Sequence, residues 1–166
     1  MRLPVISSLL FVSTLLLPSA SFRLHAEAKT PSSIAWTENY KEASALAKKE
    51  NKPIFLFFTG SDWCPWCKRI DKEILTTADF ANLLTGELVF VKADFPQNIP
   101  QDPSLEVQNE ELKTTFGIKG FPTIVLPDPN GKEIGRMGYE KGGGKAFADK
   151  VQKKLRDYFA NKAKKA

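Results

Sequence analysis

The residues Ile54-Phe55-Leu56-Phe57-Phe58-Thr59-Gly60-Ser61-Asp62-Trp63-Cys64-Pro65-Trp66-Cys67-Lys68 decide the architecture. Ile54 to Phe58 form a continuous apolar run with no alternation, the signature of a central strand covered on both faces. Thr59-Gly60 ends it. Pro65 suits a first helical turn, where a missing N–H leaves nothing unpaired. The pair Cys64 and Cys67 therefore falls at a strand-to-helix junction, at the start of the helix.

Upstream, Tyr40, Ala43 and Ala47 follow Trp36 at helical spacing, and Glu50-Asn51-Lys52-Pro53 stops the run, which predicts an amphipathic helix opening at Trp36. Downstream, a short helix over Asp79 to Leu84 and a strand over Leu88 to Ala93, closing at Asp94, complete a βαβ unit. Pro96, Pro100 and Pro103 mark Phe95 to Val107 as a loop; Asn109 to Phe116 reads as a helix capped by Gly117. Phe121-Pro122 leads into a strand from Thr123 to Leu126. Pro127 to Gly131 make a turn, Glu133 to Met137 a further strand, and Phe147, Val151, Leu155 and Tyr158 the inner stripe of a last helix. Alternating helices and strands define an α/β fold.

The ends are of another kind. Arg2 precedes thirteen uncharged residues, Val5 to Leu17, and then small residues, the pattern of a secretory signal peptide. That run is shorter than the roughly 20 residues of a bilayer-spanning helix, so no stable membrane insertion is expected. The division expected is a signal peptide over 1–26, with the cut as late as Ala28, an extension over 27–35, a folded domain over 36–160 and a basic tail over 161–166. Losing residues 1–26 removes Arg2, Arg23 and no acid, so the net charge falls from +5 to +3. Bases and acids interleave except from Lys150 to Lys165, which does not make a nucleic-acid-binding stripe. His25, the one histidine, would leave with the signal peptide. Cys-His proteases, serine triads and most zinc chemistry leave with it.

Two cysteines allow one bridge. A free thiol with pKa about 8.5 is only about 3% thiolate at pH 7, and a helix N-terminus raises that fraction by stabilising the anion. Cys64 is thus the expected accessible nucleophile and Cys67, one turn inside the helix, the more buried resolving thiol. An inert bridge is the plain alternative, but so short a loop constrains the unfolded chain little. Zinc would lack two ligands. A client-binding module with incidental cysteines is a third reading.

The run from Thr59 to Lys68, with Lys52-Pro53 before its strand and Gly120-Phe121-Pro122-Thr123 later, resembles the thioredoxin superfamily, and within it the secreted, DsbH-like group of bacterial thiol–disulfide oxidoreductases. The resemblance spans about Trp36 to Phe159. It implies a thioredoxin-like fold, a central mixed β-sheet flanked by helices on both faces. It also implies a redox-active disulfide between Cys64 and Cys67, a cis peptide at Phe121-Pro122 facing that pair, and catalysis with neither cofactor nor metal. The expected partners are disulfide-containing proteins and a membrane thiol-transfer electron donor, and the expected state is a monomer. Trp63, Trp66, Phe121 and Pro122 are the expected substrate-binding residues; for Trp63 a core role weighs equally.

Pro65 and Trp66 are the expected redox-tuning residues. Thioredoxin at about −270 mV and DsbA at about −120 mV differ by roughly 7 kcal/mol for two electrons. Strong oxidants of the Dsb type have a histidine between the cysteines; this chain has none, which favours a disulfide reductase over an oxidase or isomerase. The buried acid of thioredoxin's central strand is replaced by Phe58, leaving Lys92 or water for proton transfer. Finally, the loop from Phe95 to Gln108 leaves a parallel strand beside the one preceding the cysteines, so it is expected to border the site.

Overall fold

The computed structural model describes residues 33–164. The signal peptide and most of the N-terminal extension, together with the last two residues of the basic tail, lie outside the described residues. The elements run β1 (Trp36–Thr37), α1 (Tyr40–Glu50), β2 (Ile54–Thr59), α2 (Pro65–Ile70), a π-helical turn (Asp71–Leu75), α3 (Ala78–Leu84), β3 (Val89–Asp94), α4 (Pro103–Thr115), β4 (Thr123–Pro127), β5 (Glu133–Met137) and α5 (Gly143–Ala163).

Among the described residues the five strands form one mixed sheet in the order β1-β3-β2-β4-β5. β2 lies parallel to β3, with Phe57 across from Lys92, and antiparallel to β4, with Phe58 across from Thr123. Every residue of β2 is buried, which is why its sequence shows no alternation. Phe55 and Phe57 point to the face covered by α2, α3 and α5, among Ile70, Phe80, Phe147 and Val151. Leu56 and Phe58 point to the opposite face, covered by α1 and α4 through Ala43, Ala47 and Leu112. Each such side chain taken fully out of water stabilises the fold by about 1.5–3 kcal/mol.

Two expected boundaries move. Trp36 is not the start of a helix: it pairs with Phe90 as the short edge strand β1, its ring 5.3 Å from that of Phe90. The helix starts at Tyr40, where the Asn39 side chain accepts the Glu42 N–H. Tyr40, Ala43 and Ala47 share a face in either reading, so periodicity alone does not separate Trp36 from them. The expected loop is also shorter, because α4 begins at Pro103 with Asp102 accepting the Ser104 N–H. Pro103 occupies the first turn, the one helical position a proline fits well. Gly117 ends α4 with φ of 58°, as a left-handed cap requires.

Candidate redox site

The cysteines sit at the carboxyl end of β2. Cys64 caps α2 in an extended conformation, φ −83° and ψ 110°; Pro65 follows in the first turn. The Cys64 Sγ accepts the Cys67 backbone N–H at 3.2 Å, and the Cys67 Sγ accepts that of Gly60 at 3.5 Å. Both sulfurs thus face peptide dipoles, which favours negative charge on them when reduced. The two residues are joined as a disulfide, with Cα atoms 5.2 Å apart. Cys64 is 4% exposed and Cys67 1%, so in this oxidised state the expected contrast in accessibility is small.

The Phe121-Pro122 peptide is cis. Pro122 precedes Thr123, the partner of Phe58, so the antiparallel register brings it to the sheet edge from which the cysteine turn departs. Phe121 meets Trp63 edge-on, 5.9 Å between centroids, and Phe95 at 5.0 Å. Trp63, 37% exposed, donates its indole N–H to the Phe95 carbonyl at 2.7 Å. It lies so close over Gly60 that a Cβ there would stand 2.5 Å from the ring. Trp66 is 53% exposed. Its ring is 5.3 Å from that of Tyr139, and the Arg69 guanidinium lies over both.

Phe58 is wholly buried between the rings of Phe95 and Phe116, an apolar setting in which an unpaired carboxylate would be heavily penalised. Lys92 shares the register position of Phe57, so it lies on the sheet face opposite Phe58, with its ammonium 5.8 Å from the Trp36 ring centroid. The structure pairs Lys92 with that ring.

The loop after β3 borders the cysteine turn, and two acids fasten it there. Asp94 accepts the Ser61 backbone N–H at 2.9 Å and the Ser61 hydroxyl at 2.5 Å. Asp62 accepts the backbone N–H of Gln97 at 3.1 Å and of Asn98 at 2.6 Å. Desolvation pushes the Asp62 carboxyl upward, but the N–H groups of Asn98 and Gln97 outweigh it and hold the group below the ordinary carboxylate range. Between the loop, α4 and the Trp63–Phe121 pair lies a groove of about 390 Å³ lined by Trp63, Phe95, Ile99, Glu106, Lys113 and Phe121.

Sequence reasoning missed Asp62, Asp94, Arg69, Glu73 and Tyr139. The Arg69–Glu73 spacing of four residues was a usable signal. Tyr139 had none, since it is 66 positions from the Glu73 it binds.

A family model described as a thioredoxin-like domain matches residues 40–155. Disulfide bond reductase DsbH of Chlamydia pneumoniae is 43% identical over 119 residues, 72% of this chain and 72% of that protein. Thioredoxin-related protein DsbJ of the same organism is 34% identical over 113 residues, which are 68% of this chain and 32% of DsbJ. A solved structure described as DsbH oxidoreductase superposes with a TM-score of 0.72 at 40% identity, covering 76% of this chain and 88% of that one.

Proposed function

The chain belongs to the thioredoxin-like family and is a thiol–disulfide oxidoreductase; from that premise we propose that it works as a periplasmic or secreted reductase of protein disulfides. The observation that carries this reading is the Cys64-Pro65-Trp66-Cys67 turn itself, in which both sulfurs accept backbone N–H groups but no cationic residue stands between them. Peptide dipoles activate the thiolate. Without a histidine in the turn, the reduced form is not stabilised to the degree that makes a strong oxidant.

In the proposed cycle the Cys64 thiolate attacks one sulfur of a client disulfide. A mixed disulfide forms and one client thiolate leaves. The Cys67 thiolate then attacks the Cys64 sulfur, releasing the second client thiolate and closing the Cys64–Cys67 bond. Two electrons pass to the client, whose thiolates take up protons, and the product is the disulfide form of the enzyme. A membrane dithiol protein restores the reduced pair by the same exchange in reverse. Trp63, Trp66, Phe121 and Pro122 border the client path.

The sequence pattern of residues 1–26 supports export, and no helix among the described residues is long and apolar enough to cross a membrane. The test is equilibration of the Cys64/Cys67 pair with glutathione, joined to insulin reduction. A potential nearer to about −270 mV, with turnover of insulin, is the expected result; a value above about −180 mV would sink the assignment.

A further inference from the structure

Arg69 lies one turn beyond Trp66 on α2. Its guanidinium carbon is 5.4 Å from the Trp66 ring centroid and 5.1 Å from that of Tyr139. Arg69 Nε donates to Glu73 Oε1 at 2.7 Å, and the Tyr139 hydroxyl donates to Glu73 Oε2 at 2.5 Å. The Tyr139 and Trp66 rings are 5.3 Å apart, inclined at 43°. The contacts close a circuit: indole on phenol, phenol to carboxylate, carboxylate to guanidinium, guanidinium back onto indole. Trp66, Arg69 and Glu73 come from the helical segment that starts at the cysteines, and Tyr139 from the stretch after β5.

We infer that Arg69, Glu73 and Tyr139 are positioning residues that hold the Trp66 indole in one orientation beside the disulfide, ready to receive an apolar side chain of the client polypeptide. This rests on the reductase reading above.

Two physical effects compete for the role of Arg69. A lone guanidinium near the helix start would act on the thiolate through its charge. Here the charge is matched by Glu73 at contact distance, in a pair that is 44% and 41% exposed, so water screens what the carboxylate does not cancel. Orientation is what remains. A free indole loses rotamer freedom when a client seats against it, whereas an indole already held has lost it on folding. More than half of Trp66 stays exposed, so the circuit fixes the ring without covering it.

Steady-state reduction of insulin by the full chain, under a dithiol reductant, tests this with Arg69→Met, Tyr139→Phe, Trp66→Ala and the Trp66→Ala/Arg69→Met pair. Arg69→Met keeps the aliphatic stem and removes the planar cation; Tyr139→Phe keeps the ring and removes the donor. Each single change is expected to raise KM roughly twofold to tenfold, with a smaller effect on kcat. The double variant is expected to show no larger KM than Trp66→Ala alone, because both changes remove one function. Additive KM effects in a chain that reduces insulin would overturn this inference alone. A shifted Cys64/Cys67 potential in Arg69→Met with KM unmoved would overturn it in favour of charge tuning. Insulin left oxidised by the wild-type chain would overturn the reductase reading, and this inference with it.

Discussion

Trp63 and Trp66 flank Cys64, and the protein treats them in opposite ways. Trp63 is fastened to the framework: its N–H binds the Phe95 carbonyl, its edge meets Phe121, and its ring fills the space over Gly60. Trp66 is the more exposed of the two and rests on the side chains of Arg69 and Tyr139. Backbone and packed rings hold the first. The exposed Arg69–Glu73 pair, worth little to stability, and the partly buried Tyr139 orient the second. A residue type next to a reactive group thus says little about its role; what it is fastened to says more.

The largest expected effect concerns the cysteines between the two flanks. Cys67→Ser should bring turnover to the uncatalysed level and leave Cys64 trapped in mixed disulfides with clients, visible on non-reducing gels. Persistent turnover would mean that Cys64 does not need Cys67 as its resolving thiol. Next comes stability. Trp63→Ala should destabilise by about 2–3 kcal/mol and Trp66→Ala by about 0.5 kcal/mol, measured by urea unfolding. Equal losses would break the contrast.

Gly60→Ala should cost about 1–3 kcal/mol, because the added Cβ overlaps the Trp63 ring. The same change in a Trp63→Ala background should cost much less, since the nearest atoms to that Cβ all belong to Trp63. An undiminished penalty would place the strain elsewhere.

The smallest effect is on pH dependence. Glu73 is held below the usual carboxylate range, first by the Tyr139 hydroxyl and then by Arg69. A carboxyl with its folded pKa depressed contributes its stabilisation fully above the unfolded value, about 4.3, and loses it as pH falls through the folded one. The Trp66 side should therefore loosen only in acid, below that range. Tyr139→Phe should move the Glu73 titration upward, as followed by carboxyl NMR; an unmoved titration would contradict the hydrogen bond.

Much of this was legible along the chain. The uninterrupted run Ile54 to Phe58 announced a doubly covered strand, and Pro65 with Gly117 marked helix ends, because burial stripes, caps and turns are encoded within a few residues. The parallel pairing of β2 and β3 followed from their intervening helical segment, and with it the placing of the Phe95 loop against the cysteine turn. Trp36 is not legible in this way, because one aromatic in helical phase with Tyr40 fits either a helix or a two-residue edge strand. The early start of α4 was hidden because Pro103 reads as a loop signal unless Asp102 is recognised as its cap.

The sequence by itself determined that two thiols three positions apart stand at a strand-to-helix turn, with Trp63 before the first, Trp66 between them and no histidine after His25. Only the tertiary structure decided which aromatic is locked and which is displayed. That choice depends on Phe95, Phe121 and Tyr139 arriving from β3, β4 and β5 at one sheet edge. The registers of three strands set those arrivals, and the pairing of distant strands into one sheet is a property of the whole chain that no local periodicity records.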